Sequence, residues 1–218
     1  MFNGSRYTNI LPTTAYQKLS SGFYNRPDVL TIARELLGKI IVTKFDGELT
    51  AARIVETEAY AGVTDKASHA YGGRRTARTE VMYHEAGRAY VYLCYGIHQL
   101  FNIVTNKVDV PHAILIRGAE PITGVPVMLR RTGKKVADFT LTRGPGNVSK
   151  ALGITVGHTG ESLLEDAFYL ASDGFVPAKE DILTTPRIGV DYAGADALLP
   201  YRFIIRNNKY VSGKPVKK

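Results

Sequence analysis

The 218-residue chain has one cysteine. A single thiol excludes an internal disulfide and any cysteine-rich zinc or iron–sulfur centre, and it suits a reducing compartment. No apolar run approaches the roughly 18 residues of a membrane-spanning helix. The opening Met1-Phe2-Asn3-Gly4-Ser5-Arg6 has no apolar signal core. Internal repeats, low-complexity blocks and obvious linkers are also missing. Acidic residues are few: 20 Asp and Glu face 28 Lys and Arg, for a net charge of +8, and none follows Asp196. That balance suggests a polyanionic partner, nucleic acid first; the plain alternative is a protein that is merely basic.

What is there is ordinary for a globular chain, 44% apolar and 22% charged, and long enough to bury a substantial core. Residues 1–21 read as an extended lead-in. Pro27 suits the first position of a helix. Val29, Leu30, Ala33, Leu36 and Leu37 recur at helical spacing up to Gly38, which predicts a helix over 27–37. Lys39–Phe45 predicts a strand, Asp46-Gly47 a hairpin turn, and Leu49–Tyr60 the returning strand. On that strand Ile54, Glu56, Glu58 and Tyr60 are expected on one face, with Val55, Thr57 and Ala59 on the other. Short helices are expected over 64–71, capped by Thr64 or Asp65, and over 79–83. Ala89–Cys94, a tight turn at Tyr95-Gly96 and Gln99–Thr105 form a hairpin, with a further turn near 107–110 and a strand from His112 to Arg117. Val125–Arg131 reads as helical, Arg143–Asn147 as a loop, and Val148–Leu152 as a short helix. Short strands should follow from Phe168, the last over 201–211, with 213–218 a frayed basic tail. The expected fold is α+β: one domain spanning 1–218, a curved, mostly antiparallel sheet and surrounding short helices.

Between Ile54 and Asn102 lie carboxylates, His69, six tyrosines and four arginines. Glu58 is the first candidate for chemistry. A lone strand carboxylate is usually a solvated face, but one at the edge of an aromatic cleft can activate water or stabilise a sugar cation. Glu56 is the alternative. Two carboxylates two apart on a strand lie about 7 Å from each other, near the range of paired-carboxylate glycoside hydrolysis, so a carbohydrate or nucleoside hydrolase competes. Tyr95 falls at a turn. Patterning favours a packed tyrosine there; the other reading is an exposed wedge of the kind pushed between base steps. His69 alone reads as structural, and without a partner at ligand spacing it does not indicate a metal. Arg74, Arg75, Arg78, Arg117, Arg143 and Lys150 are candidates for phosphate contact. Gly144-Pro145-Gly146-Asn147 opens a helix and could bind an anion through free N–H groups, but it lacks the Gly-Lys-Ser/Thr ending of a nucleotide loop.

Taken together, these stretches resemble the 3-methyladenine (alkyladenine, N-methylpurine) DNA glycosylases. The resemblance is carried by Ala33–Lys39, Ile54–Tyr60, His69, Gly72-Gly73 through Thr76 and Arg78 to Met82, Tyr90-Val91-Tyr92 with Tyr95-Gly96, Asn102-Ile103, Leu115-Ile116-Arg117 with Glu120-Pro121, and Gly144–Gly146 through Ile154. These occur in family order from about Phe23 to Arg206. The resemblance implies hydrolysis of the N-glycosidic bond of an alkylated or deaminated purine flipped out of double-stranded DNA. It implies that Glu58 activates the attacking water, with Arg117 close to the site. Tyr60, His69 and Tyr92 would hold the flipped base, Asn102 would obstruct the 2-amino group of guanine, and Tyr95 would fill the gap in the duplex, with Gly96 and Ile97 also contacting the DNA. Arg74, Arg78, Arg143, Gly144 and Lys150 would contact the DNA. Glu56 has no family role and moves to a structural one.

No lysine is among the residues that the resemblance places at the base or the sugar, which implies a monofunctional enzyme without a Schiff base, and neither metal nor cofactor is implied. Glu58 is expected near the reference glutamate value of about 4.3, ionised at neutral pH, and an electron-rich aromatic cage is expected to favour a cationic base. The chain departs from the mammalian pattern at Ile97 and His98, where Met and Tyr are common, and its turn around 107–110 is slightly longer. The absence of an extended basic N-terminal tail suggests a compact, monomeric bacterial-type member, cytoplasmic and acting at the nucleoid.

Overall fold

The computed structural model describes residues 16–213. Most of the expected lead-in, and the basic tail after Gly213, lie outside the described residues. Within them, Gln17–Lys18 (β1), in the described part of the extended lead-in, is a paired edge strand that hydrogen-bonds the strand formed by residues 168–172. Ser21–Tyr24 (α1) is a single helical turn. Val29–Glu35 (α2) is the predicted amphipathic helix, but its start differs. Asp28 is the cap and accepts from the N–H groups of Leu30 and Thr31, so Pro27 lies before the helix instead of in it.

Ile40–Phe45 (β2) and Glu48–Tyr60 (β3) form the expected hairpin. Asp46 and Gly47 both take positive φ, 53° and 75°, the pair of left-handed residues that matches strand twist in a two-residue turn. Ala89–Cys94 (β4), His98–Thr105 (β5) and His112–Thr123 (β6) follow, the last running six residues beyond its expected end. Val125–Thr132 (α3) and Pro145–Leu152 (α4) are the remaining helices. Since Pro145 occupies the first turn of α4, the helix begins inside the predicted loop. Phe168–Ser172 (β7), Ile182–Thr185 (β8) and Arg202–Ile205 (β9) complete the sheet.

The strands form one antiparallel sheet in the order β1-β7-β2-β3-β6-β5-β4, with β8 and β9 joined through β3. The fold is the expected α+β, single-domain type. β3 is its axis. β6 pairs along one edge, while the other edge pairs with β2 over its first half and with β9 over residues 56–58. At that changeover the β3–β6 register shifts, between Ile54 and Glu56 and again between Glu56 and Thr57.

This bulge corrects the expected facing. Ala52, Ile54 and Ala59 all belong to the main core, under α2, α3 and α4, and the Thr57 hydroxyl bonds the Ala33 carbonyl of α2. Ile54 therefore does not share a face with Glu56 and Glu58. An extra residue in the strand moves everything after it to the opposite phase. On β4, β5 and β6, Val91, Phe101, Ile103, Ile114 and Ile116 also point to the main core. Their neighbours Tyr90, Tyr92, Asn102, Leu115 and Arg117 point to the other side, where they line a cavity.

Two further expectations are corrected. Residues 64–71 form turns flanked by 3₁₀ segments at 62–64 and 71–73, not a helix. Asp65 accepts from the N–H groups of Ala61 and Ala67 and pairs with Arg187; that local turn chemistry competes with helix. The final strand is four residues long because Asn207 turns with φ 59°. The chain then folds back so that Ser212 meets Glu56. Residues 79–83 form the second expected short helix, as a 3₁₀ segment over Glu80–Tyr83. Among the described residues, no helix is long and apolar enough to cross a membrane.

Candidate active site

The cavity, about 230 Å³, lies on the sheet face opposite the helices. β3 supplies Tyr60, β4 supplies Tyr90 and Tyr92, β5 Asn102, and β6 Leu115 and Arg117. His69 comes from the turn segment after β3. The fourth wall, Ile188, Gly189, Val190 and Tyr192, comes from the segment between β8 and β9. Sequence reasoning missed this wall. No local pattern marked it: what holds the segment is Arg187, whose buried pairing with Asp65 is a tertiary contact.

Glu58 has no solvent-exposed surface, and it is bonded to three residues that line the cavity. Its Oε1 accepts from the Ile188 N–H at 2.7 Å, and its Oε2 accepts from the Tyr60 hydroxyl at 2.9 Å and from Arg117 Nη1 at 3.3 Å. Burial raises its carboxyl above the ordinary glutamate value; Arg117, the Ile188 N–H and the Tyr60 hydroxyl offset part of this, and the net direction is upward. The expectation of an unperturbed glutamate is thereby corrected. Burial likewise raises the Tyr60 phenol, with the Glu58 charge adding to the effect, so Tyr60 keeps its proton and donates it.

Glu56 is equally buried but turned into a structural cluster. Its Oε1 accepts from Arg117 Nε at 3.2 Å, Arg202 Nε at 2.7 Å and the Ser212 hydroxyl at 2.9 Å. Its Oε2 accepts from the Ser212 N–H at 2.6 Å. With every bond inward, Glu56 fits the structural role expected for it and leaves no free second carboxylate for a paired-acid mechanism. Arg117, bound to both carboxylates and buried, is not a phosphate contact here.

The aromatic walls are held as firmly. His69 Nδ1 is 2.7 Å from the Tyr90 hydroxyl, and its ring meets Tyr92 edge-on at 4.6 Å. Burial, then the charges of Arg78 and Arg74, lower its pKa to about 4, so it is neutral at physiological pH. Asn102 is buried, and its Nδ2 donates to the carbonyls of Tyr90 and Leu100 at 3.1 and 3.2 Å, which fixes the plane of its amide. Behind Tyr60, Arg187 pairs with both Asp65 oxygens at 2.5 and 2.8 Å.

Tyr95 also borders the cavity. It is 90% exposed and takes φ 50° in the Tyr95-Gly96-Ile97 turn joining β4 to β5. A bulky residue in that conformation is an outlier. The packed tyrosine favoured by patterning is therefore corrected: the ring projects, next to an Ile97 that is 73% exposed.

The basic candidates do not gather in the cavity. Arg74 and Arg78 are exposed near its rim. Arg75 is occupied by Glu80 and Asp109. Arg143 bonds the Val211 and Gly213 carbonyls. Gly144 caps α4 and Lys150 is exposed in its last turn. A Cβ on Gly146 would come within 3.0 Å of His98, so the start of α4 stands beside the exposed hairpin.

Glu58 lies behind the cavity wall, bonded to lining residues, and an aromatic slot backed by a buried carboxylate has the shape and chemistry to take one flat ring. Comparison with known proteins gives the same direction. The sequence model of the methylpurine-DNA glycosylase (MPG) family matches residues 22–209. A protein of Desulfitobacterium hafniense (strain Y51) is 43% identical over 205 residues, covering 91% of this chain and 100% of its own length. One from Bacillus licheniformis is 45% identical over 199 residues, covering 91% and 98%. One from Chlamydia felis is 43% identical over 192 residues, covering 88% and 97%. Each bears the name "Putative 3-methyladenine DNA glycosylase". The chain belongs to the methylpurine-DNA glycosylase family, enzymes that hydrolyse N-glycosyl compounds.

Proposed function

We propose that this enzyme removes alkylated purines such as 3-methyladenine and 7-methylguanine from duplex DNA, by water attack and without a covalent intermediate. The observation that carries the reading is Glu58: a fully buried carboxylate bonded to Tyr60, Arg117 and Ile188, all of which line the aromatic cavity. The target base leaves the stack at a cost of a few kcal/mol. Tyr95, the projecting aromatic at the cavity rim, fills the space it vacates, and stacking on Tyr60, Tyr92 and His69 returns roughly 1–3 kcal/mol per base contact. Glu58 takes a proton from the water as its oxygen bonds to C1′ of the sugar. The bond from C1′ to the purine nitrogen breaks, and its electron pair leaves with the base. Alkylation has already made that base a good leaving group, so one general base suffices. The upward shift of Glu58 strengthens its ionised form as a base.

Asn102, its amide fixed by two carbonyls, excludes normal guanine by meeting its 2-amino group. No lysine lines the cavity among the described residues, in keeping with the absence of a Schiff-base step. The enzyme acts as a monomer on chromosomal DNA in the bacterial cytoplasm, and its +8 charge supports steering to the phosphate backbone.

The test is release of free base from methylated duplex DNA. Glu58→Gln keeps binding to a lesion duplex and loses release by at least about a hundredfold, the lower end of a general base's contribution. Undiminished release by the variant removes Glu58 from the mechanism. A wild-type protein that binds lesions but releases nothing is a damage-binding protein instead.

A further inference from the structure

Two guanidinium groups stack on the tyrosine walls without lining the cavity. Cζ of Arg187 lies 4.9 Å from the ring centre of Tyr60, and Cζ of Arg78 lies 4.8 Å from that of Tyr92; neither arginine is among the lining residues. Their charges are balanced differently. Arg187 is buried and matched by both oxygens of Asp65. Arg75, three positions before Arg78, is matched by Glu80 and Asp109. Arg78 pairs with no carboxylate among the described residues; besides the Tyr92 ring, it meets His69 Nε2 at 3.4 Å and the Tyr90 hydroxyl. A guanidinium only donates, so His69 Nε2 accepts and the histidine proton sits on Nδ1, facing Tyr90.

We propose that Arg78 sets the preference of this pocket between cationic and neutral purines, restraining the bias toward cations that its aromatic walls alone would create. This rests on the base-excision reading above. An aromatic face attracts a cation. A cation already seated over the same ring repels a second one, and although Arg78 is exposed on its outer side, the tyrosine ring between the two charges holds no water to screen them. A 7-methylguanine nucleotide carries a positive charge and meets this repulsion, whereas a neutral hypoxanthine nucleotide does not. The charge behind Tyr60 has a counter-ion and its effect is largely cancelled; the charge behind Tyr92 has none among the described residues. The cage is therefore not the simple electron-rich box expected from its tyrosines.

The test compares two duplexes, one with a single 7-methylguanine and one with a single hypoxanthine. Single-turnover release is measured with saturating enzyme at pH 6, where 7-methylguanine keeps the N1 proton that makes it a net cation and His69, its pKa lowered to about 4, adds no charge of its own. Arg78→Met keeps an apolar stem and removes the charge. It raises the ratio of 7-methylguanine to hypoxanthine release about tenfold. Arg78→Lys keeps the charge and leaves the ratio within about threefold of wild type. An unchanged ratio in Arg78→Met, even with both rates lowered alike, overturns the proposal and makes Arg78 a phosphate contact. The same ratio is read from binding of the two duplexes to Glu58→Gln and to Glu58→Gln/Arg78→Met, which needs no base release. A wild-type protein that releases neither base overturns the excision reading, while the binding ratio still decides the role of Arg78.

Discussion

Arg117 divides its guanidinium between two buried carboxylates, with Nε 3.2 Å from Glu56 and Nη1 3.3 Å from Glu58. One carboxylate is saturated by Arg202 and Ser212. The other is bonded only to groups that line the cavity. Two glutamates separated by a single residue on one strand thus have different work: Glu56 anchors the arginine, and the arginine tunes Glu58.

That division predicts the pH dependence. Glu58 must be ionised to accept a proton, so release falls as pH drops through its folded pKa. Because burial raises that pKa, the midpoint of the acid limb lies above the ordinary glutamate value. Arg117 pulls the carboxyl downward, so Arg117→Gln moves the limb to still higher pH. Single-turnover rates from pH 4 to 8 check both. A limb at or below the ordinary value contradicts the assignment.

Glu56 governs stability. Glu56→Gln leaves Arg117 and Arg202 short of a buried counter-ion, a change that costs about 3 kcal/mol. Urea denaturation at neutral pH measures it. A loss below about 0.5 kcal/mol, the scale of a neutral surface change, shows that the cluster is not the anchor described.

Tyr95 behaves in the opposite way. With 90% of the residue exposed, Tyr95→Ser changes stability by no more than about 0.5 kcal/mol. It weakens binding to a duplex with an abasic site by about tenfold, at the low end of one lost stacking contact. Unchanged affinity in a titration removes the wedge role.

Asp65 supports the pocket from behind. Asp65→Asn uncovers the buried Arg187 that backs Tyr60, costing about 3–5 kcal/mol. It also slows base release in whatever fraction stays folded. Thermal denaturation alongside single-turnover release separates the two; a variant normal in both leaves the Arg187–Asp65 pair without a role.

The legible parts of this chain were those set by local rules. The Asp46-Gly47 hairpin follows from two residues that tolerate positive φ. The apolar spacing of α2 marked its buried face, although Asp28 rather than Pro27 starts it. Tyr60, His69, Tyr92, Asn102 and Arg117, named through resemblance to a family, do line one cavity. Periodicity alone failed at β3, because a bulge between Ile54 and Glu56 reverses the strand's facing and depends on how β6 pairs. It also favoured a packed Tyr95, since alternation says nothing about whether another segment covers a turn.

By itself the sequence determined a basic chain, without disulfides, whose β-hairpins and short helices carry the motifs of a methylpurine-DNA glycosylase. Only the tertiary structure decided that Glu58 is buried and Glu56 neutralised, that Ile188 to Tyr192 close the pocket, and that Arg187 has a counter-ion while Arg78 has none among the described residues. The physical reason is that burial and charge pairing are sums over neighbours distant in the chain. Asp65 and Arg187 stand 122 positions apart, and Glu56 and Ser212 stand 156 apart; no local pattern encodes either contact.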